Sequence, residues 1–218
     1  MKKLLFLVLA AAVFAVPALA GPTGQYRLAF ITSTNLGCPW TDIADYNAHV
    51  QGLATAAGLP GTDWKVIGST SLVDARDNTN TNPTIPDDAL GNGTGVPIYL
   101  VDGTTKVADD NADLWDGSVD HIINMDEFGN AKTHWPHTGT WTDGTVAEKI
   151  NNNGQGLDDR NQIAQGNGGS TTDWIWRTWT QRPPSEQLPL YAMSEVLPEP
   201  ATMALLGLGG LAVFRRRR

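Results

Sequence analysis

Intramolecular disulfides are excluded, because the chain has a single cysteine, Cys38. A lone thiol is either buried as a small hydrophobe or used between molecules, and burial is the expectation. Catalytic signatures are missing as well. There is no HExxH, no GxSxG and no glycine-rich phosphate loop opening a helix. His134 and His137 stand three apart, but Pro136 breaks any helix that would align them on a metal. No internal repeat divides the chain. Basic residues are scarce once the two ends are set aside. Of the 15 Lys and Arg, six lie in the end segments (Lys2, Lys3 and four C-terminal arginines), whereas of the 23 Asp and Glu only Glu199 does. Residues 21–197 therefore carry 9 basic against 22 acidic side chains, about −13, where the whole chain is −8. That excess disfavours nucleic acid and anionic membranes as partners.

The two ends are distinctive. Residues 1–20 have a positive start at Lys2 and Lys3, an apolar stretch from Leu4 to Val16, and the small-residue site Ala18-Leu19-Ala20. This is the pattern of a secretory signal peptide removed by signal peptidase, with the mature chain starting at Gly21. Residues 196–218 read VLPEPATMALLGLGGLAVFRRRR. Pro198-Glu199-Pro200 comes first, then an uncharged run from Ala201 to Phe214, then Arg215, Arg216, Arg217 and Arg218. Fourteen helical residues rise about 21 Å, against a bilayer core of about 30 Å. A transmembrane helix of that length spans only with local thinning or snorkelling arginines, and the arginines keep it oriented with the domain outside. The prolines hold an extended, accessible segment at the membrane edge. The alternative is an ordinary short C-terminal anchor. The ordered set of Pro-Glu-Pro, apolar run and arginines resembles the PEP-CTERM sorting signal. The resemblance implies processing near the motif by an exosortase-type transpeptidase and delivery to the cell surface or beyond it.

Between the ends, residues 21–195 are expected to form one α+β domain with long loops. Residues 25–33 (QYRLAFITS) read as a strand with Tyr26, Leu28, Phe30 and Thr32 on one face. Residues 41–57 read as an amphipathic helix on Ile43, Tyr46, Val50, Leu53 and Ala57, capped by Thr41 or Asp42 and stopped at Gly58. Further strands are expected at residues 64–69, 97–101, 121–125, 138–142, 172–180 and 188–195. Residues 74–95 and 151–170, rich in Asn, Gly, Asp and Thr, are expected to be surface loops. The order of a strand ending ITSTNLG, a helix ending ATAAGLPGT, then YLVDGTTKVADDNADLWDGSVDHIINMDEFGN and TGTWTDGT is similar to bacterial extracellular domains of the endostatin-like, C-type-lectin-like kind. That resemblance implies that the first and last strands pair, that the loops gather on one side, and that Trp115 anchors a structural loop turned by Asp116-Gly117.

One stretch has metal-ligand spacing. Asp109, Asn111, Asp113 and Asp120 fall at offsets 1, 3, 5 and 12 of a calcium-loop register. Leu114 stands where that loop needs glycine, and position 12 is the shorter Asp. Turn and capping carboxylates are therefore the expectation, with calcium the alternative. The Glu-Pro-Asn tripeptide of calcium-dependent sugar binders is absent from the domain. Trp174 and Trp176 are expected to share a strand face, with Trp179 opposite, and to pack in the core. Asp87-Asp88 and Asp158-Asp159 are expected to be solvated. The expected function is that of a non-enzymatic surface or extracellular-matrix protein that is adhesive, structural or glycan-binding, with extracellular polysaccharide or another surface protein as its partner. The alternative is a secreted polysaccharide hydrolase.

Overall fold

The computed structural model describes residues 22–147, 155–177 and 181–199. The signal-peptide segment, Pro200, the apolar run, the four terminal arginines and Trp179 lie outside the described residues. Among the described residues no helix is long and apolar enough to cross a membrane.

The elements in chain order are β1 (Arg27–Ile31), α1 (Ile43–Ala57), β2 (Lys65–Val66), α2 (Ala75–Asn78), β3 (Ile98–Leu100), β4 (Lys106–Ala108), α3 (Asn111–Leu114), β5 (Ile163–Ala164), β6 (Gln181–Arg182) and β7 (Tyr191–Met193). Five strands form one sheet in the order β2-β7-β1-β3-β4, and β5 and β6 pair separately. β1 runs parallel to β3 and antiparallel to β7. The expected pairing of first and last strands is present and longer than β7 itself. It begins at Tyr26, which exchanges both backbone bonds with Leu197, and ends at Leu36, which does the same with Leu188.

β1 is buried on both faces. Leu28 and Phe30 face α1 together with Trp64, Val66 and Ala192. Ala29 and Ile31 face a second core built from Ile98, Leu100, Trp115, Trp174, Tyr191 and Met193. Burying each large side chain contributes about 1.5–3 kcal/mol. The helix forms where its pattern expects it. Asp42 caps the start by accepting from Ala44 N at 2.9 Å. Ile43, Tyr46, Val50 and Ala54 make the buried stripe. Gly58 ends it at φ 72°, in the left-handed region.

Four of these expected elements differ. Residues 138–142 make no strand, and Thr140 alone bridges to Val146. Residues 121–125 make no strand; only Met125 bridges to Ala131, because the side chains of Asp126 and Asn130 close a turn there instead. Residues 172–177 are a series of bends, so Trp174 and Trp176 are not carried on a strand. Trp174 is nonetheless fully buried against Trp115 and Tyr191, and Trp176 packs on the same core and on Trp141. Residues 74–95 are a surface loop only in part, with residues 84–90 exposed. They contain α2 and bury Asn78, Thr79, Thr81, Asn82 and Asn92.

Those buried polar residues are held by a cation. Arg27, on the second face of β1, is 1% exposed. Its guanidinium donates to four main-chain carbonyls, those of Thr79 (3.0 Å), Ser194 (2.8 Å), Asn80 (2.9 Å) and Leu90 (2.8 Å). Burial pulls its pKa down to about 10, opposed by Glu195, Asp63 and Asp88, and it stays charged at neutral pH. Arg27 thereby ties the 74–95 segment and the last strand to the sheet.

His137 gives the fold a pH dependence. Its Nε2 lies 3.0 Å from the Glu186 carbonyl, to which it donates, and its buried Nδ1 has no partner. Protonating Nδ1 would bury a charge without an acceptor, so burial lowers the pKa below 6.5. The unfolded chain takes up that proton first as pH falls. The stabilisation is complete above pH about 6.5 and is lost as pH falls through the folded value. Chemical denaturation from pH 8 to 5 should show stability falling below pH about 6.5, and His137→Gln should flatten that fall. His49, also lowered by burial, leaves a smaller slope behind.

Candidate functional site: a carboxylate cluster, a tryptophan between arginines and the tail junction

The 109–120 stretch folds around its own lysine. Asp110 caps α3 by accepting from Asp113 N at 2.9 Å, and Asp113 accepts from Asp109 N at 2.6 Å. Asp120 N donates to Val107 O at 2.8 Å, which brings residue 120 beside β4. Oxygens of Asp109, Asp113 and Asp120 come within 4.8 Å of one another. Lys106 Nζ hydrogen-bonds Asp109 and sits 3.3 Å from Asp120. Those bonds, Asp109 first, raise the lysine's pKa. Of the four residues in the calcium register, three meet and Asn111 does not. Asn111 is buried and donates to Gly91 O at 2.8 Å and Gly93 O at 2.9 Å. Leu114 is fully buried in the second core. The cluster is a carboxylate group with an internal ammonium counter-ion, and a calcium ion would have to displace Lys106. Lys106→Met should therefore confer a calcium response. Its melting temperature should rise on adding about 1–10 mM calcium, while the unaltered protein moves little. Equal shifts in both would mean that Lys106 does not occupy the cation position.

Other carboxylates are committed to the backbone. Among the described residues fourteen carboxylates accept main-chain N–H groups, so the acidity also frames the loops, and of these only Asp126 and Glu127 are buried. Asp88 accepts from Leu90, Gly91 and Asn92, and the Asn92 side-chain bond foremost holds its pKa low. Asp87 accepts from Thr94, Asp158 from Ser71, and Asp159 from Asn161 and Gln162. The two expected solvated pairs are thus loop caps. Trp115 anchors as expected, donating from Nε1 to Thr81, with Asp116 and Gly117 (φ 106°) turning the chain beyond it.

Residues 74–95 and 109–120 meet through Asn111, but the hollow beside them is not lined by the cluster. A cleft of about 320 Å³ runs between residues 87–96, Gln25 and Val196. A cleft of about 500 Å³ lies by Leu36, Cys38, Arg160 and Pro184. Cys38 is 2% exposed and burial pushes its thiol up to about 12, so it is a protonated hydrophobe at neutral pH. The two histidines do not converge. His137 is buried on Glu186, while His134 accepts from Trp135 N.

The sequence reading missed one constellation. Trp135 is 40% exposed, with Arg177 Cζ 4.9 Å and Arg182 Cζ 5.9 Å from its ring centroid. Arg182 Nε donates to Gln165 Oε1 at 3.3 Å and has Glu186 Oε2 at 3.7 Å. Residues 135, 165, 177 and 182 have no mutual spacing signal. They meet because His137 bridges Gln165 and Arg177 N donates to Gln165 O.

The last described residues form the tail junction. Leu197 is buried and paired with Tyr26, and Pro198 directly after it is exposed. Tyr26–Leu197 is the last bridge of the ladder among the described residues, and the facing chain turns at Gly24 (φ 88°). The sorting motif follows the folded domain with no spacer, beside the start of the first strand. A search of curated proteins finds no match to the chain. Residues 196–218 match the family model described as the PEP-CTERM protein-sorting motif. That tail marks the chain as an exported protein handled by exosortase-type sorting for surface display.

Proposed function

We propose that the domain delivered by this tail is a non-catalytic adhesive module of C-type-lectin-like arrangement that binds extracellular polysaccharide. The observation that carries this reading is the use of the carboxylates. A hydrolase needs two free carboxylates facing each other across a cleft, whereas among the described residues most carboxylates cap loops, and of the three that converge Asp113 caps a backbone N–H and the other two share Lys106 as counter-ion. Supporting the arrangement, the first and last strands are zipped from Tyr26–Leu197 to Leu36–Leu188, and long loops carry the second core. The zipper also puts the start of the folded domain beside the sorting motif, so an anchored chain is tethered at that edge, next to residues 87–96.

The test is a panel of neutral and acidic polysaccharides incubated with the exported protein, reading both binding and reducing-end release. Saturable binding without release supports the module. Release that disappears on substituting Asp109, Asp113 or Asp120 would establish the hydrolase, and no binding to any glycan would reject the adhesive reading.

A further inference from the structure

The domain has few basic side chains, and two of them are held over one exposed ring. About −13 of net charge surrounds them, so a pair of guanidinium groups at Trp135 is the reverse of the general charge. The surroundings show what is lacking there. Gln165 is 1% exposed, and its amide Nε2 has no acceptor. Its Oε1 is engaged by Arg182, so the unpaired donor borders the arginine. Gln165 Oε1 and Glu186 Oε2 both meet Arg182 at Nε, and the terminal nitrogens of Arg182 make no hydrogen bond among the described residues. Arg182 therefore keeps the open edge of its guanidinium fork for an acceptor.

We propose that Trp135, Gln165, Arg177 and Arg182 form a binding site for uronic-acid units of an extracellular polysaccharide. The planar guanidinium fork matches a carboxylate with two parallel bonds. The exposed part of the indole offers an apolar surface for the C–H groups of a pyranose ring. The buried Gln165 amide, whose Oε1 accepts from Arg182 Nε, holds the guanidinium in place beside the ring. The acidic remainder of the domain repels a polyanion, so engagement is confined to this one place. This inference rests on the polysaccharide-binding reading and names the sugar class for it.

The experiment titrates the exported protein with a galacturonic acid oligomer, its methyl-esterified counterpart and a neutral glucose oligomer. The acidic oligomer should bind, and the methyl ester should bind about tenfold or more weakly. Arg182→Gln should cost about tenfold or more for the acidic oligomer alone. Arg182→Lys, which keeps the charge but loses the fork, should recover only part of it. Trp135→Ala should weaken acid and ester alike. Melting curves of the Arg182 variants should match the unaltered protein, because Arg182 is partly exposed. Equal binding of acid and ester, or acid binding indifferent to Arg182→Gln, overturns the assignment. Binding of the neutral oligomer alone overturns this assignment but leaves the adhesive reading standing, and binding of no oligomer removes both.

Discussion

Arg27→Ala is expected to lower the unfolding free energy by about 4 kcal/mol, read as a shift of the urea midpoint. The four carbonyls that accept from Arg27 lie on two stretches of chain that it joins: Thr79, Asn80 and Leu90 on the 74–95 segment and Ser194 after β7. The Thr79 and Ser194 bonds are fully buried. Each buried carbonyl left without a donor costs about 1–3 kcal/mol, and relief from burying the guanidinium returns part of that. The loss is a large share of the roughly 5–15 kcal/mol that holds an ordinary domain. Arg27→Lys is the sharper variant. It keeps the charge and stem, but three donors on one nitrogen cannot serve four carbonyls spread around a planar fork. It should lose about half as much. Amide exchange should speed first at Gly93, which donates to Asn82, and at Asn111, which donates to Thr94. An Arg27→Lys variant with the unaltered midpoint would mean that charge alone holds the segment.

Local chemistry was legible in the sequence and its long-range use was not. Asp42, the Ile43-Tyr46-Val50 stripe and Gly58 specify α1 through neighbours within one or two turns, and the helix appears within two residues of where they place it. The turns at Asp102-Gly103 and Asp143-Gly144 are likewise local, with Asp102 accepting from Thr104 and Thr105, and Asp143 from Thr145. β4 escaped notice because three residues are too short for an alternating pattern. The partial burial of residues 74–95 escaped because its partner is Arg27, some fifty residues earlier in the chain. Its acceptors are backbone carbonyls, which every residue type carries alike. The calcium register, the alternative to turn and capping carboxylates, leaves out a neighbour for a related reason. Its spacing treats residues 109–120 as self-contained, yet the cation that meets those carboxylates is Lys106, three residues before the register begins. Trp135, Gln165, Arg177 and Arg182 came together only through backbone pairing of distant loops.

Replacing Pro198-Glu199-Pro200 by three alanines should abolish processing of the tail. The precursor should accumulate in the membrane fraction, with intact residues 201–218 detected by mass spectrometry, while the released or surface-attached form falls to background. The substitution removes the residues that the motif match covers at the start of the tail. It also removes two prolines whose fixed φ keeps the exposed segment at Pro198 extended and out of a helix interior. Single variants separate the two effects. Glu199→Ala leaves both prolines and tests recognition of the acid alone. Pro198→Ala leaves the acid and tests the extended backbone. Unchanged processing of the triple variant would reject the sorting role of the motif.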